Sequence, residues 1–314
     1  MNLVSFLIVN YNTGEILRKC IESIFRFENK INFEVIVVDN NSTDNSKVII
    51  KELTYVHTKL KPIYLSQKKG FSFANNRAIE EASGNFALIM NPDIFFTEPV
   101  LETLISDLNQ NEKLGAVCPL LLGEDGKFQS QYFQKYPTTL QFIFFYSVFG
   151  KLLIKFKPLV NKYFYNMVNV NSHKLEHVEQ IPCAFFLTRT KFLAEAGGMD
   201  ESYDLFFEDV DLSYQMNKKY ALAVDTNIKI THLGGASFKT SDDYWLYGRF
   251  VISMINFFRK NYGASQTYIL KTLAIINSHL ILIAEETKKV FGKNDIYREN
   301  KHKYFLTELR KINT

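Results

Sequence analysis

Residues 3–12 read Leu3-Val4-Ser5-Phe6-Leu7-Ile8-Val9-Asn10-Tyr11-Asn12, an apolar run broken by one serine and closed by polar residues. Two later stretches repeat that design. Val35-Ile36-Val37-Val38 leads into Asp39-Asn40-Asn41-Ser42, and Phe86-Ala87-Leu88-Ile89-Met90 leads into Asn91-Pro92-Asp93. Apolarity that is continuous rather than alternating marks strands buried on both faces, as in a parallel sheet. Between and after these runs lie stretches with helical spacing: Glu15–Phe27, Ser46–Leu53, Ser72–Ala82 and Val100–Leu108. The repetition predicts βαβ units and an α/β fold, a doubly wound sheet flanked by helices. Such sheets bind ligands in the crevice outside the carboxyl ends of their strands. One Asn or Asp there reads as a turn or cap residue. Three strands ending alike point to a site.

Past Val117 the pattern changes. Gly123-Glu124-Asp125-Gly126, between Leu120–Leu122 and Phe128, predicts a hairpin. Ala184–Thr188 reads as a strand and Lys191–Glu195 as a short helix stopped by Gly197-Gly198. Glu208–Lys219 reads as a helix with acids in its first turn, and Ile228–Thr231 as a short strand ending at His232. From about Asp242 onward the sequence reads as helix. The expected division is a catalytic domain over 1–237 and a mainly helical extension over 238–314.

Composition excludes several classes. The chain has 314 residues, 46% apolar and 22% charged, which rules out wholesale disorder. Its 14 Gly and 7 Pro are too few for a collagenous chain. The net charge of +4 comes from scattered residues, which argues against nucleic acid and leaves room for an anionic ligand. Cys20, Cys118 and Cys183 form no CxxC pair, so they read as buried thiols in a reducing compartment. Leu3–Val9 is too short for a signal peptide or a span, and the cytoplasm is the expected location.

Four groups of residues carry candidate chemistry. Pro92 biases Asn91 toward an extended conformation and so holds Asp93 beyond a strand end, where a hard divalent cation would favour its carboxylate. Glu208-Asp209-Val210-Asp211 sets three carboxylates within four residues, and crowded, partly dry acids suit a general base. The helix dipole favours acids there as well. His232 could complete a metal shell with Asp93. Lys68-Lys69-Gly70 precedes a helix carrying Asn75, Asn76 and Arg77, a natural anion site. Neither GxGxxG nor GxxxxGK[ST] occurs, so the dinucleotide fingerprint and the P-loop are absent.

Together these residues resemble glycosyltransferase family 2. The likeness runs in order through Val4–Asn12 (VSFLIVNYN), Val37–Ser46 (VVDNNSTDNS), Lys69–Arg77 (KGFSFANNR) and Asn91-Pro92-Asp93. It continues through Gly197–Glu201 (GGMDE), Glu208–Leu212 (EDVDL) and His232–Ser237 (HLGGAS). It implies a GT-A type, mostly parallel sheet. The flavour is that of the rhamnosyltransferase-like, non-processive branch that builds bacterial surface polysaccharides. By this resemblance Asp39 reads the pyrimidine ring, with Asn10 and Asn12 lining the nucleotide pocket. Lys69, Gly70, Arg77 and Asn91 join the nucleotide site. Asp93 and His232 hold Mg²⁺ or Mn²⁺, and Asp209 is the catalytic base with Glu208 beside it.

The implied reaction is a single displacement with inversion. A sugar leaves its nucleoside diphosphate, possibly dTDP-L-rhamnose as the resemblance has it, for a saccharide or lipid-linked oligosaccharide acceptor. Three departures stand out. Asn91 replaces the first acid of the DxD-type motif, Gln215 stands where relatives carry Arg, and Lys68 stands where Asn is usual. No QxxRW motif is present, which favours transfer of one sugar over polymerisation. A nucleotidyltransferase and an inactive sugar-nucleotide-binding protein stay open as alternatives.

Phe142–Tyr165 mixes aromatics with regularly placed lysines. It reads equally as an interfacial segment on the inner face of the cell membrane or as packing on the core. Thr267–Ala284 has the apolar content of a buried helix, and Lys271, Asn277, Ser278 and His279 argue against a span. Lys288–Lys311 reads as a solvated helix. All these roles require Asp39, Asp93, Asp209 and His232 to converge on one pocket.

Overall fold

The computed structural model describes residues 3–148, 150, 155, 158, 160, 164, 165, 168–234 and 244–312. Most of 149–163, together with Gly235-Ala236-Ser237, lies outside the described residues. The chain divides into two compact units. The first comprises Met1–Lys135, Tyr165–Ser202 and Glu208–Lys239; the second comprises Tyr136–Phe164, Tyr203–Phe207 and Thr240–Thr314. The second unit thus draws on two earlier segments besides the C-terminal region.

The first unit holds one mixed sheet. Its strands are β1 (Leu3–Asn10), β2 (Asn32–Asp39), β3 (Leu60–Tyr64), β4 (Phe86–Met90), β5 (Ile94–Phe95), β6 (Leu114–Leu122), β7 (Leu175–Val178), β8 (Phe185–Arg189) and β9 (Ala221–His232). Their order is β3-β2-β1-β4-β8-β6-β9-β5, with β7 also paired to β9. β3, β2, β1 and β4 run parallel, as do β6 and β9. β8 is antiparallel to both β4 and β6.

The helices of this unit are α1 (Gly14–Phe27), α2 (Ser46–Val56), α3 (Phe71–Glu80) and α4 (Leu101–Gln110). α5 (Thr139–Tyr146) belongs to the second unit; α6 (Thr190–Ala196) and α7 (Glu208–Asn217) return to the first.

The three apolar runs form the sheet centre because nothing in them needs water. Phe6, Leu7, Ile8, Val35–Val38 and Ala87–Met90 are all fully buried, each large side chain contributing about 1.5–3 kcal/mol. α1 buries Leu17, Cys20, Ile21 and Ile24, one stripe at helical spacing. Gly14 lets α1 start hard against α2: a Cβ there would meet Ser46 Cα at 2.9 Å and Ile49 Cδ1 at 2.9 Å. The 123–126 turn does close a hairpin, with Leu122 bridging Phe128. Gly197 and Gly198, at φ 80° and 73°, end α6; their amides donate to Ala194 and Leu193 carbonyls.

Several elements differ from expectation. β3 reads LKPIY and is mostly exposed, a polar edge strand whose proline hides it. β9 begins at Ala221, seven residues before the expected Ile228, with a bulge against β6 that breaks its sequence pattern.

The second unit holds α5, α8 (Tyr244–Asn261), α9 (Ala264–Lys289) and α10 (Ile296–Ile312). At Gly248 a Cβ would meet Tyr304 at 2.7 Å, so glycine permits α8 and α10 to approach closely. The expectation of a solvated last helix is corrected: Glu299, His302, Phe305 and Leu309 of α10 are buried. The residues that interrupt α9 are its packed side. Asn277 donates to Tyr146 O (3.1 Å) and accepts from Val148 N (2.7 Å), and Ser278 bonds His302 (3.0 Å). Within Phe142–Tyr165, Phe142 stacks on Tyr146, Phe145 meets Phe164 edge-on, and Tyr146 lies tilted against Phe250.

Candidate active site

β1, β2 and β4 end in register, Asn10 opposite Asp39 and Ile8 opposite Met90. Their polar termini therefore share one edge of the sheet. Asn10 and Asp39 are fully buried there. Asn10 Nδ2 donates to Asp39 Oδ1 (3.1 Å) and Ser42 Oγ (3.2 Å), and Ser42 N–H donates to Asp39 Oδ2 (3.0 Å). Asn12 and Asn41 adopt φ 54° and 57°, which asparagine tolerates. Asn12 N–H donates to Ser42 Oγ (3.0 Å), while its own Oδ1 accepts from Thr43 N (2.8 Å). The two loops are thereby locked together. Each Asp39 oxygen thus accepts one bond, of about four acceptor sites that a carboxylate offers.

Beside this cluster, the Asn40 side chain exchanges two 2.8 Å bonds with the Lys69 backbone, fixing the approach to α3. Gly70 caps that helix in an extended conformation. Lys68 Nζ lies 4.1 Å from the Tyr11 ring centroid. Arg77 pairs with Glu80 (2.5 Å) and Glu201 (3.6 Å), so protein carboxylates already engage its charge. Asn76 instead clamps the GGMDE loop, bonding Met199 N, Met199 O and Glu201.

Asp93 and His232 meet. β5 pairs with β9 so that Ile94 opposes His232, which brings His232 Nε2 within 3.5 Å of Asp93 Oδ1. Both side chains are almost fully buried, and neither of these two atoms has a hydrogen-bond partner among the described residues. Gly234 N–H donates to Asp93 Oδ2 (3.1 Å). Gln129 Nε2 donates to His232 O (3.0 Å), which fixes the amide so that its Oε1 accepts from Nδ1 (2.8 Å). Nε2 then presents its lone pair toward Asp93. Two facing acceptors in a dry setting fit a shared cation: ligands about 2.1 Å from one ion lie about 3 Å apart. Asn91, whose amide donates to Ala184 O (3.1 Å), stands just before them.

Asp209 sits on α7 beside the segment preceding β8. Ser213 anchors that helix to Ile181, accepting from its amide (3.1 Å), and the Cys183 amide donates to the Asp209 carboxylate. Glu208 and Asp211 are buried while Asp209 is half-buried. Burial raises the Asp209 carboxyl above the ordinary range, opposed by amide bonds from Val210 and Cys183. Phe206 and Phe207, at φ 67° and 69°, make a sharp entry to α7 that few bulky residues adopt.

The contacts link Asn10, Asn12 and Asp39 through Ser42, bring Asp93 to His232, and set Asp209 against Cys183, while Arg77 is engaged by Glu80 and Glu201. Sequence reasoning missed Gln129, Ser42 and the clamp role of Asn76. Ser42 lay within a quoted motif, but nothing local marked Gln129.

An open α/β sheet with this edge has the architecture of the GT-A nucleotide-sugar transferases. Residues 5–174 match the model of glycosyl transferase family 2, and the chain belongs to that family. The glycosyltransferase GlyG of Streptococcus pneumoniae serotype 4 is 31% identical over 110 residues, 35% of this chain and 36% of GlyG. The chain therefore spans about a third of that relative. The GalNAc(5)-diNAcBac-PP-undecaprenol beta-1,3-glucosyltransferase of Campylobacter jejuni is 23% identical over 301 residues, covering 90% of this chain and 92% of that protein. Among solved structures, the mannosyltransferase PcManGT of Pyrobaculum calidifontis, with GDP-Man and Mn²⁺, superposes with a TM-score of 0.55 at 14% identity. That match covers 99% of this chain and 86% of PcManGT. S. aureus TarS 1–349 in complex with UDP gives 0.50 at 17% identity, covering 82% of this chain and 66% of TarS. These structural likenesses show the fold.

Proposed function

We propose that the chain transfers one sugar from a nucleoside diphosphate donor to a saccharide or lipid-linked oligosaccharide acceptor, with inversion at the anomeric carbon. The observation that carries this is that Asp93 Oδ1 and His232 Nε2 face each other at 3.5 Å with no other partner among the described residues, together with an Asp209 carboxyl that burial raises. Asp93 and His232 would hold Mg²⁺ or Mn²⁺, which supplies Lewis-acid stabilisation of the departing diphosphate. Asp39, with Asn10 and Asn12, accepts from and shapes the nucleobase end. Lys69 and Gly70 offer charge and helix-start amides toward phosphate. Asp209 takes the proton of the acceptor hydroxyl as it attacks C1. Glu208 is a neighbour that sets the field around Asp209, and Asn91 borders the donor. Arg77 reaches a phosphate only by leaving Glu80 and Glu201.

A lipid-linked acceptor, as the name of the Campylobacter relative describes for that protein, would bring this chain to the inner face of a membrane. Donor hydrolysis, read as released diphosphate, tests the proposal across UDP-, GDP- and dTDP-sugars, dTDP-L-rhamnose included, with and without Mn²⁺. Metal-dependent turnover of one donor is expected. Stabilisation by triphosphates alone would favour a nucleotidyltransferase, and binding without turnover an inactive protein.

A further inference from the structure

α9 is built inside out. Its packed side carries Asn277, Ser278 and Glu285 among Leu270, Ala274 and Ile281. Its outer side carries Ile269, Ile276 and Ile283, exposed by 51%, 50% and 62%. These three recur every seven residues and so form one stripe, which Leu280 fills. Val290 and Phe291, 81% and 76% exposed, extend the apolar surface past the helix end.

The helix cannot relieve this by rotating. Asn277 is bonded to Tyr146 and Val148, Ser278 to His302, and Glu285 to Lys288, Arg298 and the Asp295 amide. Turning the isoleucines inward would strip the Tyr146 carbonyl, the Val148 and Asp295 amides, His302 and Arg298 of the bonds they make to this helix. Polar side chains held on the packed side and a stripe of isoleucines on the outer side are the arrangement of a helix facing lipid. The charge pattern selects the kind of surface. Lys289 and Lys293 are exposed and flank Val290 and Phe291. Apolar residues bordered by lysines suit an anionic bilayer. A second copy laid parallel on the same stripe would instead crowd like charges.

We propose that the outer face of α9, continued through Val290 and Phe291, docks this chain onto an anionic lipid bilayer, with the helix lying in the interface. The proposal deepens the lipid-linked-acceptor reading by naming the surface, and rests on it for the biological role of docking. The test is sedimentation of the full chain with phosphatidylglycerol-containing vesicles and with phosphatidylcholine vesicles. Wild type should bind the anionic vesicles. Ile276→Ser/Ile283→Ser/Phe291→Ser should weaken binding by about tenfold or more, with its melting curve and donor hydrolysis unchanged. Lys289→Gln/Lys293→Gln should abolish the preference for anionic lipid. Absence of wild-type binding, or binding the triple variant retains, would overturn the proposal. So would a dimer that the triple variant dissolves, which would make a second copy the occupant. Donor hydrolysis in the same preparation separates the two readings: turnover without vesicle binding sinks docking alone, and vesicle binding without turnover sinks the catalytic reading alone.

Discussion

His232 Nε2 faces Asp93 Oδ1 at 3.5 Å, and neither atom is satisfied by any other described group. Gln129 makes that possible by holding the other imidazole nitrogen at 2.8 Å. An outer partner of this kind orients a ligand and typically alters metal affinity about 10–100-fold. Gln129→Leu should therefore weaken Mn²⁺ binding in the presence of nucleoside diphosphate by that factor, measured by calorimetric titration. Asp93→Asn should weaken it further. An unchanged Mn²⁺ titration in Gln129→Leu would remove the positioning role.

Asp209 has its carboxyl raised by burial. A base works only when ionised, so transfer should increase with pH along an acid limb lying above the ordinary carboxylate range. Asp209→Asn should lower kcat by about 10²–10⁴-fold and leave nucleotide affinity nearly unchanged. If the variant keeps its rate and its acid limb, the proton goes elsewhere.

Asp107 on α4 is pushed up to about 6 by burial and by the adjacent Asp225 carboxylate. A raised folded-state value means its stabilising contribution is full below the ordinary value and is lost as pH rises through about 6. Asp107→Asn keeps the group neutral throughout. It should match wild type at low pH and melt a few degrees higher above neutrality. Equal melting at both extremes would contradict a raised Asp107 carboxyl.

His302 on α10 is held neutral, lowered to about 3 chiefly by burial and then by Lys301 and Arg298. Its contribution is full above the ordinary value of 6.5 and is lost as pH falls toward about 3. His302→Gln keeps a bond to Ser278 available and removes the titration. Thermal melts of this variant should depend less steeply on pH in that window; an identical slope would refute the assignment.

The central sheet was legible because β1, β2 and β4 are so apolar that no other placement suits them. The loops after them were legible because polar residues must stop where such strands emerge. β3 was hidden by its lysine and proline at the sheet edge, and β9 by its bulge. α9 misled in one respect: its composition reads as a buried helix, yet Ile269, Ile276 and Ile283 face outward.

Sequence alone determined the strand–helix alternation, the polar residues at the strand ends and the family membership that follows from their order, since propensity and patterning act over a few residues. Tertiary structure alone decided that Asp93 and His232 share one spot, that Gln129 aims the imidazole, and which side of α9 is packed. Those depend on strand register and on which distant partners satisfy buried polar atoms, and no local pattern encodes either.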